Sequence, residues 1–171
     1  LGDDVTYSGT VAAALEGVLL GWPAVAVSQQ PCGPALDMAE GYPYDFRAVS
    51  AFVRGLVPLV CDERFPHRVL VSVNAPGLPP EDVRGARVTR LGRRIYNDSL
   101  QLETHEGLRR RYRIYGEDAS YHREQGTDFE AIERGEISVT PLHFDLTDLS
   151  GMDALERLQL DQLLESAPVE R

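Results

Sequence analysis

The stretch TVAAALEGVLLGWPAVAVS, residues 10–28, decides the fold because it predicts a helix that leads directly into a strand. Residues 10–20 are mostly good helix formers, with Ser8 and Thr10 at the predicted start, and Gly21 and Pro23 end the helix. The short apolar run at 23–28 then predicts a buried strand.

The segments that follow repeat this alternation. Residues 29–42 predict a loop, and 45–60 place apolar side chains at helical spacing, with Pro58 expected to kink or end that helix. Residues 68–76 predict a second strand. Helices between short apolar strands indicate an α/β fold with a mostly parallel sheet and right-handed crossovers. Two strands cover little of two such helices, so we expect further strands upstream of Leu1.

The second half of the chain changes character. Three segments rich in tyrosine, arginine and β-branched residues predict extended structure around turns at Gly92 and Gly107. These segments are 85–92, 93–103 and 108–117.

The C-terminal part predicts a helix, a strand and a second helix. The first helix lies within 126–135, between Thr127 and Gly135, and the strand lies within 136–147. A helix from about residue 150 places three leucines on one stripe: Leu155, Leu158 and Leu163.

Composition limits the classes of function. The 171 residues include 27 acidic and 17 basic side chains, and the net charge of −10 argues against a nucleic-acid duplex as partner. A small phosphorylated ligand is compatible with this charge, because backbone N–H groups and a metal ion can oppose it locally. No apolar stretch reaches the ~20 residues of a membrane helix, and there is no basic, hydrophobic leader. We therefore expect a cytoplasmic protein without a membrane partner, with Cys32 and Cys61 as reduced thiols.

The turn Tyr7-Ser8-Gly9-Thr10 is the candidate binding site. It places two hydroxyls and a glycine at the start of a helix, where the first N–H groups are unpaired and partly positive. Together these groups are suited to bind a phosphate. The alternative is plain capping of the helix by Ser8 or Thr10 without a ligand, which the pattern alone favours.

Other polar residues carry weaker signals. Asp3 and Asp4 could bind Mg²⁺ or Mn²⁺, although adjacent acids before a helix are more often solvated or paired with its dipole. The four histidines share no metal-ligand spacing, and His122 is a candidate proton donor that we expect on the surface. Asp128 and Thr140 lie near predicted element ends, where a first-turn acid and a strand-edge hydroxyl are expected.

Four segments carry a resemblance that spans nearly the whole chain. They are DDVTYSGTVAAALEGVLLGWPAVAVS (3–28), VSVNAPGLPPEDVRGARVTRLGRR (71–94), GTDFEAIERGEISVTPL (126–142) and HFDLT (143–147). In sequence and order they resemble the SurE family of nucleotidases, also called survival proteins. The YSGTVAAA stretch and the pairing of GTD with SVTPL are the most specific motifs.

The resemblance implies a metal-dependent phosphatase that removes phosphate from nucleoside 5′- and 3′-monophosphates, with Mg²⁺ or Mn²⁺ as cofactor. It also implies a Rossmann-like three-layer α/β/α fold, with a β-hairpin excursion and a C-terminal helix that build homodimers or homotetramers. We therefore divide the chain into a core part at 1–84, an excursion at 85–125, a returning helix and strand at 126–147, and a C-terminal helix and tail at 148–171.

The chain departs from the family pattern at the metal site. Family members hold the ion with an Asn-Asp-Asp-Gly motif, a serine and an asparagine, all upstream of the position that matches Leu1. Asp3 and Asp4 match a different Gly-Asp-Asp, so no metal ligand and no catalytic residue is assignable here. The residues that carry over line the phosphate side of the family's pocket: Ser8, Gly9 and Thr10.

These observations lead us to expect a nucleotidase fragment that is inactive alone, with its metal ligands outside this chain. The alternative is a non-catalytic module that uses the same half-fold to bind an anion or to oligomerise. A dinucleotide-binding oxidoreductase is disfavoured, because no glycine fingerprint follows a strand.

Overall fold

The computed structural model describes residues 1–33, 43–96, 98–107, 109–116, 120–158, 160 and 162. After an opening 3₁₀ helix at Gly2–Tyr7, its helices are α1 (Gly9–Leu19), α2 (Arg47–Val60), α3 (Asp128–Glu133) and α4 (Leu149–Glu156). A second 3₁₀ turn spans Pro80–Asp82. The strands are β1 (Ala24–Gln29), β2 (Val69–Ala75), β3 (Ala86–Val88), β4 (Arg94–Ile95), β5 (Asp98–Glu106), β6 (Arg109–Gly116), β7 (Ser120–Tyr121) and β8 (Ile137–His143).

The helix–strand–helix–strand order predicted for the first half is confirmed by α1, β1, α2 and β2. Pro58 does not end α2, which continues to Val60. A proline so near the end of a helix removes one backbone hydrogen bond and disturbs little helix beyond it. Burial of Val60 in the core holds the last turn in place.

The central sheet is mixed rather than mostly parallel. Its strand order is β1-β2-β8-β3, with β1 parallel to β2, β3 parallel to β8, and β8 antiparallel to β2. The reversal arises because β8 starts beside the end of β2, where Ser138 pairs with Asn74, and then runs back along it. The α/β class is confirmed, and the direction of β8 is the feature that the sequence pattern did not reveal.

The two long helices cover opposite faces of this sheet. One apolar cluster includes Val49 and Val60 of α2 with Val71 and Val73 of β2, and the other joins α1 to Leu70. Val25 and Val27 of β1 pack against the first cluster and Ala24 and Ala26 contribute to the second, so β1 is covered on both sides. Within the described residues β1 pairs with β2 alone and forms the edge of the sheet.

The strand-rich part forms a hairpin on a short stem. β5 and β6 pair antiparallel around Gly107, which has a φ of +60°, and β4 pairs with β7 at the base. The hairpin makes no substantial contact with another described element. β3 lies within the segment 85–125 that we expect as an excursion, yet it pairs with β8 in the central sheet.

The C-terminal helix and strand within 126–147 agree with the pattern, whereas the last helix is shorter than the predicted leucine stripe. Thr127 caps α3, as expected, and its hydroxyl accepts from the N–H of Glu130. In α4 no residue is buried, and the helix ends at Glu156, before Leu158. Leu163, residues 34–42 of the predicted loop and the end of the tail lie outside the described residues. None of the described helices is long and apolar enough to cross a membrane.

Candidate functional site

Ser8 joins the opening 3₁₀ helix to α1 and caps α1. Its backbone is extended, with φ −81° and ψ 112°, and its N–H donates to the carbonyl of Val5 at 3.2 Å. Its hydroxyl oxygen accepts from the N–H of Val11 at 3.2 Å. The capping role of Ser8 is therefore present in the structure. Because the oxygen acts as acceptor in this contact, the hydroxyl proton is still able to donate to a bound anion.

Gly9 and Thr10 supply the first two amides of α1. A helix has no carbonyl one turn ahead of these positions, so their N–H groups point away from the helix start. Both residues are exposed, and a Cβ added to Gly9 would meet no described atom within 4 Å. The backbone of Gly9 is therefore open to close approach by a ligand.

This turn lies at the end of the sheet where β1 and β2 finish. After the turn at Gly21, which has a φ of +87°, β1 runs back along α1, so the end of β1 lies beside the start of the helix. Gln30, just past β1, donates its N–H to the carbonyl of Ala75 at the end of β2, at 3.0 Å. Ligands of open α/β sheets bind outside the carboxyl ends of the strands, and this turn has that location.

A cavity of about 370 Å³ opens beside the opening 3₁₀ helix. Asp4, Gln30, Arg94 and Tyr121 contribute to its walls. Burial and a hydrogen bond with Glu133 raise the pKa of Tyr121 to about 12, so this phenol is neutral near pH 7. A volume of this size is within the range of small-molecule pockets.

Asp3 and Asp4 are engaged with β4 and with the residue that follows it. The Asp4 carboxylate pairs with the Arg94 guanidinium and accepts from the Tyr96 hydroxyl at 2.7 Å, and Asp3 accepts from the backbone N–H of Arg94 at 3.2 Å. Burial pushes the pKa of Asp4 upward, but the hydrogen bonds from Tyr96 and Arg94 outweigh it and hold that pKa below its ordinary value. The same bond raises the pKa of Tyr96 to about 12. Asp4 is thus paired with two side chains, whereas Asp3 is exposed and accepts one backbone hydrogen bond.

The described residues do not fit a divalent cation. No group of three or more His, Cys, Asp or Glu side chains among them is placed to hold a metal ion. Asp3 and Asp4, the two acids that could have begun such a group, already bind β4 and Tyr96. We therefore assign no metal-binding role to the described residues.

The remaining candidates have structural positions. His122 is exposed, and its backbone N–H donates to the carbonyl of Arg93 at 2.9 Å. Thr140 is not at a strand edge: it is 2% exposed within β8, between β2 and β3, and shares a 2.7 Å hydrogen bond with the hydroxyl of Thr89. His67 and His143 line a separate cavity of about 770 Å³ at the opposite end of β2 from Ser8.

Sequence reasoning missed the contacts that fix this turn to the rest of the protein. Arg94 and Tyr96 gave no signal, because their partner Asp4 is about ninety residues away in the chain. Asp128 was expected as an ordinary first-turn acid, and it does begin α3, but it is 0% exposed. The available signal was a pair of glycines, Gly2 and Gly92. Gly92 was predicted to form a turn, whereas the structure has no turn there and packs this glycine against Asp128 and Phe129.

Comparison with known proteins adds independent information. The family model described as survival protein SurE matches residues 1–98. A protein named 5′-nucleotidase SurE from Rubrobacter xylanophilus is 44% identical over 164 residues, covering 96% of this chain and 62% of that protein. A protein of the same name from Symbiobacterium thermophilum is 44% identical over 160 residues, covering 94% of this chain and 59% of the relative.

A solved structure resembles the fold as well. The crystal structure of the SurE protein from Aquifex aeolicus superimposes with a TM-score of 0.73 at 35% sequence identity, covering 93% of this chain and 60% of that chain. The chain thus spans roughly three fifths of the length of the relatives that it matches.

Proposed function

The chain belongs to the SurE family, and from that premise we propose that it supplies the phosphate-holding part of a nucleotidase acting on nucleoside 5′- and 3′-monophosphates. The observation that carries the proposal is the exposed start of α1, where the amides of Gly9 and Thr10 follow the capping hydroxyl of Ser8 within one turn. Its position beyond the carboxyl ends of β1 and β2 suits a substrate site.

The role of these residues in the reaction is to bind and orient the phosphate. Hydrogen bonds from N–H and O–H groups to the non-bridging oxygens hold the substrate and offset the charge that these oxygens carry in the transition state. Each charge-assisted hydrogen bond of this kind contributes about 1.5–3 kcal/mol. The dipole of α1 acts in the same direction, because its positive end faces the site.

The cofactor of this proposal is Mg²⁺ or Mn²⁺, bound by residues outside the printed sequence. The support is the family resemblance, together with the poor fit of the described residues to a cation. Assembly as a homodimer or homotetramer and action in the cytoplasm are further parts of the proposal. The exposed hairpin of β5 and β6 supports the assembly.

A test compares the 171-residue chain with an intact parent protein, meaning a longer chain in which we place the metal ligands. Release of phosphate from AMP is measured with Mn²⁺ and with a chelator in its place. We expect Mn²⁺-dependent release by the parent and none by the 171-residue chain. Release by the short chain would contradict the placement of the metal ligands, and an inactive parent would contradict the nucleotidase itself.

The second candidate function is a non-catalytic module that binds an anion or oligomerises. The hairpin and the exposed leucines of α4 favour it, since neither element makes a substantial contact with another described element. The coding sequence ahead of Leu1 discriminates between the two. An Asn-Asp-Asp-Gly motif there supports the enzyme, and a start codon immediately before Leu1 supports the module.

A further inference from the structure

Asp128 is a buried carboxylate that accepts three backbone hydrogen bonds. Its Oδ2 accepts from the N–H of Gly2 at 2.6 Å. Its Oδ1 accepts from the N–H groups of Gly92 at 2.9 Å and Phe129 at 3.0 Å. The side chain is 0% exposed, so these donors take the place of water around the carboxylate. Through them the start of α3 is tied to two segments that are distant in sequence.

The packing around this carboxylate tolerates only glycine at both distant positions. A Cβ on Gly2 would lie 2.4 Å from Cε2 of Phe129, and a Cβ on Gly92 would lie 2.5 Å from Cδ2 of the same ring. Gly2 also has a φ of +54°, which favours glycine. The Phe129 ring stacks on Tyr121, with centroids 4.4 Å apart, so the ring has little freedom to move aside.

The opening 3₁₀ helix connects Gly2, which Asp128 holds in place, to the candidate site. Asp3 and Asp4 bind the backbone and side chain of Arg94, so the first turn of the opening 3₁₀ helix is fixed at three successive positions. About 12 Å of 3₁₀ helix separates Gly2 from Ser8. The direction of that helix sets where the Ser8-Gly9-Thr10 turn points.

We propose that Asp128 is a positioning residue, which orients the Ser8-Gly9-Thr10 turn toward its phosphate by fixing the start of the opening 3₁₀ helix through Gly2. The phosphate in this statement rests on the proposed function, whereas the orientation of the turn is measurable without any ligand. Asp128 does not touch the phosphate.

The experiment uses the Asp128→Asn variant of the 171-residue chain and NMR of its backbone amides. An amide nitrogen in place of one carboxylate oxygen faces an N–H donor and cannot accept from it. We expect exchange of the Gly2 or Gly92 N–H to become about tenfold faster or more, because its bond is lost. We also expect the signals of Ser8, Gly9 and Thr10 to shift, while those of α2 and β2 stay in place.

Inorganic phosphate is the probe for the second measurement. The phosphate concentration that gives half of the shift of the Gly9 and Thr10 signals is expected to rise about tenfold in Asp128→Asn. Asp148→Asn is the matched control. Asp148 is an exposed carboxylate that caps α4, and its loss is expected to leave the signals of the Ser8-Gly9-Thr10 turn and their response to phosphate unchanged.

Gly2→Ala perturbs the contact between Gly2 and Asp128 from the Gly2 side, and it tests the positioning role if Asp128→Asn does not fold. It is expected to displace the same three signals. The proposal is overturned if the folded variants keep wild-type signals at Ser8, Gly9 and Thr10, even if their overall stability falls. If the signals of Ser8, Gly9 and Thr10 move in the variants but do not respond to phosphate in the wild type, the positioning role stands and phosphate binding at this turn is contradicted.

Discussion

Ser8 uses one hydroxyl for two purposes, since its oxygen caps α1 and its proton is able to donate to a phosphate. Thr10 offers only the second, because the Ser8 hydroxyl and carbonyl serve the amides of Val11 and Ala12. Variants at Ser8 and Thr10 therefore distinguish an effect on helix stability from an effect on anion binding.

Ser8→Ala is expected to lower the free energy of unfolding by about 1 kcal/mol through loss of the cap. It is also expected to lower kcat/KM of the intact parent for AMP by about tenfold or more through loss of a charge-assisted hydrogen bond. Urea denaturation and steady-state kinetics measure the two effects.

Thr10→Val is the matched comparison, because it keeps the shape of the side chain and removes only its hydroxyl. We expect the same direction of change in kcat/KM with unfolding within about 0.5 kcal/mol of wild type. Kinetics that remain unchanged in both variants would remove these hydroxyls from the phosphate site.

The limits of sequence reasoning at this scale follow from the range of each interaction. The cap of Ser8 was predictable, because its partner Val11 is three residues away. Two of the three donors to Asp128 are 126 and 36 residues away, and no local pattern encodes contacts over such separations. The phosphate role of Ser8 came from a motif rather than from its local structure, and it stays a prediction.

The pairing of β3 with β8 depends on a buried polar contact just beyond the end of β3. Thr89 and Thr140 share a 2.7 Å hydrogen bond between hydroxyls, at 6% and 2% exposure. A buried hydroxyl without a partner is costly, whereas removal of both hydroxyls is close to neutral.

Thr140→Val is therefore expected to lower the free energy of unfolding by about 1–3 kcal/mol, because it leaves the Thr89 hydroxyl unpaired. The double variant Thr89→Val/Thr140→Val is expected to recover most of that loss. Urea denaturation of the wild type, both single variants and the double variant measures the coupling. Additive losses would mean that the two hydroxyls do not stabilise each other.

At the scale of elements, local composition predicted what the elements are, and long-range packing decided how they pair. The apolar runs of β1 and β2 and the helical spacing of α2 are properties of short segments, and all three were predictable. The reversed direction of β8 depends on where α3 returns the chain after the paired strands β4 and β7. No window of sequence holds that information.

Across the whole molecule, acids paired with arginines recur on the surface. Glu124 binds Arg90 and Arg93, and Glu136 binds Arg87. Hydrogen bonds from these arginines hold the pKa of Glu124 and of Glu136 below the ordinary value. The unfolded chain therefore takes up protons more readily than the folded chain does on the acid side.

The stabilisation that these carboxylates provide is expected to be complete above their unfolded pKa, near 4.5, and to be lost as pH falls through their lower folded pKa values. Urea denaturation between about pH 3 and pH 7 is expected to show constant stability above about pH 5.5 and a decline below about pH 4.5. In Glu124→Gln the decline is expected to be shallower. Stability that holds at its neutral value down to about pH 3 would contradict this account.

Helices cover both faces of β1, but the amide and carbonyl groups along its free edge pair with no described strand. A free strand edge with valine and alanine side chains can form backbone hydrogen bonds with the same strand of another molecule. On prolonged storage at high concentration, preparations of the isolated 171-residue polypeptide are therefore expected to associate slowly through this edge. A lysine at the exposed Ser28 position, in the variant Ser28→Lys, is expected to keep them dispersed.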